Sequence, residues 1–158
     1  MDTRLGHILV AQGSMTPAEL RQVLDYQSRT GMPLGAICEQ QLGLSAAEVE
    51  AAWATQYAAQ APQVEAVGLV PATDTRALVS NRRAWQFGVL PLGWDDGALQ
   101  VATTAGLLLR AHRFVASQLP GPAFFVMATH ADLESALKQW YPLPGARLPR
   151  LADPRQAA

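Results

Sequence analysis

Apolar residues recur at helical spacing through the first 60 positions and then give way to short extended runs broken by turn residues. Leu5, Ile8, Leu9 and Gln12 follow a helical period, and Gly13 stands where a left-handed cap ends a helix. Thr16-Pro17-Ala18-Glu19 then reads as a capping box: a hydroxyl cap, proline at the first helical position, and a glutamate that reaches back to the cap amide. Leu20, Val23, Leu24 and Gln27 continue along one face of the helix so started. The order repeats with Leu34, Ile37, Cys38 and Gln41, then Gly43, then Ser45-Ala46-Ala47-Glu48, then Val49, Ala52, Trp53 and Gln56. The reading is four helices, with Ser28 to Met32 as the linker between two helix-turn-helix pairs.

Residues 4–27 and 33–56 are therefore two copies of one 24-residue pattern at an offset of 29. Ile8 answers Ile37, Gln12 answers Gln41, Met15 answers Leu44, Thr16 answers Ser45, Glu19 answers Glu48 and Leu20 answers Val49. Self-similarity of this kind means one supersecondary unit used twice. Two such units side by side present a pseudo-symmetric surface.

The texture changes at Ala61-Pro62. Val64 to Pro71 reads as a mostly extended connection, and Thr73 or Asp74 caps a helix running to about Trp85. Val89 to Leu92 and Ala98 to Ala102 read as strands joined through Asp95-Asp96-Gly97, a hairpin signal. Leu107 to Leu119 is an amphipathic helix stopped by Pro120-Gly121-Pro122. Phe124 to Ala128 is a third strand, and Thr129 caps a last helix from Ala131 to Trp140. The fold class is α+β: a four-helix tandem-repeat subdomain over 1–60, a small α+β subdomain with a three-stranded sheet over 61–141, and a flexible tail over 142–158.

Composition narrows the function classes. With 49% apolar and 16% charged residues the chain is globular. Residues 1–60 hold three arginines against six acidic residues, a net of −3, so no phosphate-seeking basic patch is present there and DNA binding through helix-turn-helix geometry is disfavoured. Cys38 is alone, which excludes an intramolecular disulfide and fits a reducing compartment, with a buried structural thiol favoured over a reactive one. Met1-Asp2-Thr3-Arg4 runs straight into a helix pattern rather than a leader, and apolar stretches fall short of a membrane span. The expectation is a cytoplasmic protein without direct membrane insertion, membrane-associated at most through a partner or parent chain.

Catalysis finds little footing. A phosphate-binding glycine loop, HExxH, CxxC and GxSxG are all missing, and His7, His112 and His130 lack ligand spacing, so neither an enzyme nor a metal requirement is expected. Asp95 and Asp96 read as a solvated turn, and Lys138 has no neighbour to depress its pKa. The repeats carry more. A Leu-Gly helix start lets backbone approach whatever lies against it, and helix N-terminal amides donate to an oxygen without need of a basic side chain. Gln27 and Gln56 offer donor and acceptor to the edge of a base, Arg4 can stack on a base or fork onto guanine, and Leu20, Leu24, Val49 and Trp53 supply an apolar floor. Periodicity by itself favours the plainer reading, in which these leucines are helix-packing residues and the two glutamines are surface ends.

The pattern RLGxx(L/I)…L…(L)xxQ, its second LG…Q copy and the five-residue spacer resemble the MshEN domain, the N-terminal domain of type II secretion and type IV pilus assembly ATPases of the GspE/MshE kind. The likeness extends from residue 4 to about 141 through the Val89-Leu90-Pro91-Leu92 and Leu99-Gln100-Val101-Ala102 hairpin and the closing helix. It implies a regulatory module that binds cyclic di-GMP and works with a secretion or pilus ATPase or with a membrane glycosyltransferase complex of exopolysaccharide synthesis. Under the resemblance Arg4, Leu5, Gly6, Leu20, Leu24 and Gln27 hold one half of the dinucleotide, and Pro33, Leu34, Gly35, Val49, Trp53 and Gln56 the other. Pro33 replaces the arginine of the first copy, at a cost of roughly 1–3 kcal/mol for a lost charge-assisted contact. Trp53 replaces the leucine that matches Leu24, as a stacking platform or as a residue that narrows the groove. Ligand would stabilise or reorient the helical half about the Ala58 to Pro62 connection. The family's motor domain is absent from this sequence, which leaves a stand-alone sensor and a piece of a longer protein both open. A ligand-free protein-docking domain, with the repeats as a platform, is the competing expectation.

Overall fold

A computed structural model describes residues 4–150. The chain forms two compact units, one ending at Gln60 and the other starting at Ala61. Together they hold eight α-helices and a three-stranded mixed sheet among the described residues, an α+β fold.

The first unit contains α1 (Leu5–Ala11), α2 (Pro17–Thr30), α3 (Leu34–Leu42) and α4 (Ala46–Gln60). Capping explains where these helices begin. The Thr16 hydroxyl accepts from the Glu19 amide at 3.1 Å and the Glu19 carboxylate accepts from the Thr16 amide at 3.0 Å. Ser45 and Glu48 repeat the exchange at 3.2 and 2.9 Å. After α1 the chain turns in a Schellman motif, in which the Gly13 amide donates to the Val10 carbonyl and the Ser14 amide to the Leu9 carbonyl. After α3 the equivalent turn slips by one residue: the helix is longer, Gly43 takes the left-handed cap, and the Leu44 amide reaches the Cys38 carbonyl. The slip is absorbed inside the turn, so Met15 and Leu44 return to matching buried positions.

Two expectations need correction here. Ser28 to Thr30 belong to α2 rather than to the linker, and Gln27 and Gln56 lie inside their helices rather than at the ends. The extra turn of α2 is held by an Asp25–Arg29 ion pair at 2.9 Å and by Ser28 and Thr30 hydroxyls donating back to the Asp25 and Tyr26 carbonyls, before Gly31 ends it. Likewise α4 continues through Ala58 to Gln60, and the chain leaves helix only at Ala61.

Ile8, Leu9, Met15, Leu20, Val23, Ile37, Cys38, Leu44 and Ala52 form the core of this unit. Its tightest point is at Gly6. A methyl group added there would collide with Leu20 Cδ1 and stand 3.3 Å from Leu34 Cδ2. At the matching position a methyl on Gly35 would come 2.9 Å from Val49 Cγ1. Bare glycine is what lets the paired helices approach this closely.

In the second unit, β1 (Leu90–Asp95) and β2 (Ala98–Thr103) pair antiparallel from Leu90↔Ala102 to Asp95↔Ala98, with a bulge between Pro91 and Gly93. Asp96 and Gly97 both adopt positive φ, 49° and 80°, the backbone of a two-residue hairpin turn. Helix α7 (Leu108–Gln118) carries the chain over to β3 (Ala123–Met127), which lies parallel to β2 in the order β1-β2-β3. The single helix expected from Thr73 to Trp85 is two, α5 (Thr73–Arg76) and α6 (Asn81–Phe87), because the Ser80 hydroxyl accepts from the Arg83 amide and starts a new helix. The extended connection is also shaped: the amides of Val64 and Met127 donate across it to the carbonyls of Met127 and Pro62, and a short 3-10 turn follows at Ala66–Gly68.

After α8 (His130–Trp140) the chain is fastened to α5 and α6. Trp85 Nε1 donates to the Tyr141 carbonyl at 2.7 Å, Arg76 Nε to the Trp140 carbonyl and Asn81 Nδ2 to the Pro142 carbonyl. Tyr141 is buried, and burial pushes its hydroxyl up to about 12 against the opposing pull of Arg76. Residues 142–150 do not fit a flexible tail. Leu148 is buried, and Arg147 pairs with Glu134 at 3.2 Å. Burial raises the Glu134 carboxyl, but the Leu148 amide and the cations Lys138, Arg147 and His130 more than offset it and leave it lowered. The tail expected beyond residue 150 lies outside the described residues.

Two outcomes follow for stability. Gly6→Ala lowers the chemical-denaturation midpoint by more than Gly35→Ala, since overpacking a buried site costs about 1–3 kcal/mol and Val49, half-buried, has room to move. For α4, the Ser45 backbone amide first and its hydroxyl second hold Glu48 below the usual carboxylate range. A depressed folded pKa gives stability that is present above the unfolded value and lost as pH falls through the folded one. An acid titration of wild type against Glu48→Gln should therefore converge at low pH and diverge at neutral pH.

Candidate functional site

The two helix starts of the first unit are built alike. Arg4 caps α1 and Pro33 caps α3, both in extended backbone (φ −70°, ψ 140° and φ −58°, ψ 137°), and their carbonyls accept from the Ile8 and Ile37 amides. Neither side chain caps its helix, and both residues are exposed. Equivalent backbone thus offers a guanidinium in one copy and a neutral ring in the other.

Leu34, from the start of the second copy, lies against Gly6 at the start of the first. Leu5, Leu34 and Val49 are half-buried and pack on the core. Gly6, Leu20 and Leu34 are in mutual reach, as are Gly35 and Val49. The expectation that both glycines offer bare backbone to a ligand meets a different neighbour in each case. Gly6 is buried under Leu20 and Leu34, and Gly35 is half-covered by Val49. In this arrangement the glycines serve helix packing, and any molecule on this face meets side chains.

What the face exposes is Leu24, at 42% the most accessible of the expected leucines, one helical turn before Gln27. Gln27 is half-buried, and its amide donates to the Met32 carbonyl at 3.2 Å, fastening the end of α2 to the linker while leaving its oxygen as an acceptor. Val49, Trp53 and Gln56 follow one another along one face of α4, all half-buried, with the Trp53 ring 5.5 Å from that of Tyr57 at a tilt of 50°. Cys38 is fully buried, and burial pushes its thiol up, which suits packing and not reactivity. Among the described residues no group of three His, Cys, Asp or Glu is placed to hold a metal, and no helix is long and apolar enough to cross a membrane.

Sequence reading passed over a second candidate. Arg83, Arg110 and Arg113 line a groove between α6 and α7 in the second unit. The signal was legible: NRRAWQF and LLRAHRFVASQ contain four arginines and no acidic residue.

Comparison with known proteins places the chain. Type IV pilus assembly ATPase PilB of Thermus thermophilus is 28% identical over 141 residues, which is 89% of this chain and 15% of that protein. The chain thus spans a small fraction of that relative. A structure of MshE with cdg matches with 24% identity and a TM-score of 0.47, covering 87% of this chain and 99% of that one. A structure of the N-terminal domain of XpsE matches with 23% identity and a TM-score of 0.46, covering 88% and 95%. The MshEN domain model matches residues 59–147, nearly all of the described second unit, and leaves the repeats outside its span. With more than half of its length matched in this way, the chain belongs to the MshEN domain family.

Proposed function

We propose that the first unit is a cyclic di-GMP receptor module that regulates a secretion, pilus or exopolysaccharide-synthesis machine. The observation that carries this reading is the contact of Leu34 with Gly6, since it joins the starts of the two motif copies into one patch. A patch with two related halves suits a ligand with two related halves. Arg4 would serve one guanine, and Pro33 would offer the other only ring packing. Leu5, Leu20, Leu24, Leu34, Val49 and Trp53 would form the apolar bed, with Gln27 and Gln56 at its ends and Gly6 and Gly35 beneath it. Because the glycines lie under side chains, the ligand rests on leucine and valine methyls, or Leu20 turns aside to admit it. Family membership supports the regulatory role, and the partner would be the ATPase or glycosyltransferase complex that the domain serves. Ligand shifts the module's conformational equilibrium only by its affinity difference between states.

A second reading has its own support. The packing over Gly6 is what a ligand-free docking platform would also have, since closed helix contacts need no occupant. The two readings separate in one titration. Under the receptor reading, cyclic di-GMP gives calorimetric heat, and at a hundredfold excess over Kd it adds about 2.7 kcal/mol of stability. Absence of both heat and melting shift at high micromolar ligand would leave the docking platform.

Half-site asymmetry gives a sharper outcome. Arg4→Ala should weaken binding at least about tenfold through loss of a charge-assisted contact, with melting of the free variant measured beside it. Pro33→Arg, which restores the first copy's residue, should strengthen it. Calorimetry on the two variants checks both, and equal affinities for both variants and wild type would remove Arg4 and Pro33 from the site.

A further inference from the structure

The chain that leaves α8 is held at both ends and bridges a hollow between them. Three donors from α5 and α6 fasten its near end: Arg76 Nε on the Trp140 carbonyl at 2.9 Å, Trp85 Nε1 on the Tyr141 carbonyl at 2.7 Å and Asn81 Nδ2 on the Pro142 carbonyl at 2.9 Å. The chain then turns at Pro144-Gly145, where the Ala146 amide donates to the Leu143 carbonyl at 3.0 Å and Gly145 takes a φ of 78°. Between this turn and Lys138 of α8 lies a hollow of about 370 Å³. The far end returns to α8. Arg147 Nη1 stands 3.2 Å from Glu134 Oε1, the Leu148 amide donates to the same carboxylate, and the Leu148 side chain is buried. His130 Nε2 at 3.2 Å and Lys138 Nζ at 3.7 Å approach that carboxylate from within α8.

We propose that residues 143–150 form a strap that opens as one piece, with the Glu134 carboxylate as its catch, while the rest of the second unit stays folded. The two ends are anchored unequally, which is the first ground. Tyr141, at the near end, is fully buried and its carbonyl bonds to a buried tryptophan, whereas Arg147, at the far end, is 74% exposed, and an ion pair so placed holds weakly. Convergence is the second. One carboxylate takes both the Arg147 guanidinium and the Leu148 amide, so its loss releases two neighbouring contacts together and leaves Leu148 to follow. Shape is the third: the turn at Gly145 stands over a hollow, so it can straighten without displacing a packed layer. Segments of this kind open locally at less cost than the whole fold. Once open, the eight residues can extend over as much as about 27 Å, and Arg150 changes from a fixed point on the unit to the end of a tether. The strap lies wholly in the second unit and does not rest on the receptor reading of the first.

The test is amide hydrogen exchange on the full chain, read by NMR at Leu148 and at Val101 and Ala102 of the central strand β2. In the wild type the Leu148 amide should exchange faster than the two strand amides. Glu134→Ala should speed exchange at Leu148 about tenfold or more, the scale of a lost charge-assisted bond, and leave Val101 and Ala102 unchanged. Arg147→Ala removes the exposed partner and should act in the same direction, and it tests the catch if Glu134→Ala unfolds. Lys138→Ala is the control, since it takes a cation from Glu134 within α8 and leaves both strap contacts in place. Equal acceleration at Leu148 and at the strand amides would mean that the strap opens only with the whole unit, and would overturn the proposal. So would unchanged exchange at Leu148 in Arg147→Ala, or an acceleration by Lys138→Ala as large as that by Arg147→Ala, which would assign the opening to a loosened α8.

Discussion

The first unit depends on what is missing at Gly6. Leu20 occupies the space a Cβ would take, and Leu34 arrives from the other copy to touch the same point. One absent methyl therefore sets the spacing within the first helix pair and also the junction between the pairs. Gly35 repeats half of this, against Val49, with no third partner within reach of its missing Cβ. The pseudo-symmetry is thus broken at its centre: one glycine lies at a three-way contact and the other at a two-way contact. Any change at Gly6 propagates to both copies.

Where the copies agree and where they differ follows burial. Ile8 and Ile37, Leu9 and Cys38, Met15 and Leu44, and Val23 and Ala52 are matched pairs at the offset of 29, and all eight residues are buried. With Leu20 they make up the buried apolar cluster of the unit among the described residues. The repeat is therefore first a record of packing. The departures Arg4 to Pro33 and Leu24 to Trp53 fall on exposed or half-exposed residues. Selection of a ligand, if it acts on this face, acts there, where replacing a side chain does not disturb the core.

Elements with a strong local code were legible in the sequence. Both capping boxes bond as their residues require, the Asp96-Gly97 turn adopts the two positive φ angles its residues favour, and α7, β3 and α8 lie within a residue or two of expectation. The parallel pairing of β3 with β2 is a tertiary choice that no local pattern dictates. Helix ends with weak stop signals were read short: Ser28 and Thr30 are poor helix formers, yet both hydroxyls bond back to carbonyls of the preceding turn, Arg29 pairs with Asp25, and α2 runs on until Gly31 supplies the left-handed cap. The burial of Leu148 was likewise invisible, because a run of Pro, Arg and Ala without periodicity gives no sign that α8 and its Glu134 will hold it. For the candidate site, the structure brings Gly6 together with Leu20 and Leu34, and Gly35 with Val49. The closure of leucine over glycine was not legible, since spacing fixes which residues are near and not which one lies on top.

The two units also divide the chain's electrostatics. The first carries three arginines against six acidic residues, while residues 61–158 carry nine Lys and Arg against seven Asp and Glu. The contacts around Gly6 are with apolar side chains, Leu20 and Leu34, and burial of this kind is hardly weakened by salt. The α6–α7 groove is the opposite case, with arginines at a solvent-open surface whose reach shrinks to about 8 Å at physiological ionic strength. The two units thus differ in what they present, the first Leu20 and Leu34 over Gly6 and the second Arg110 over the stacked Phe87 and Phe114 rings.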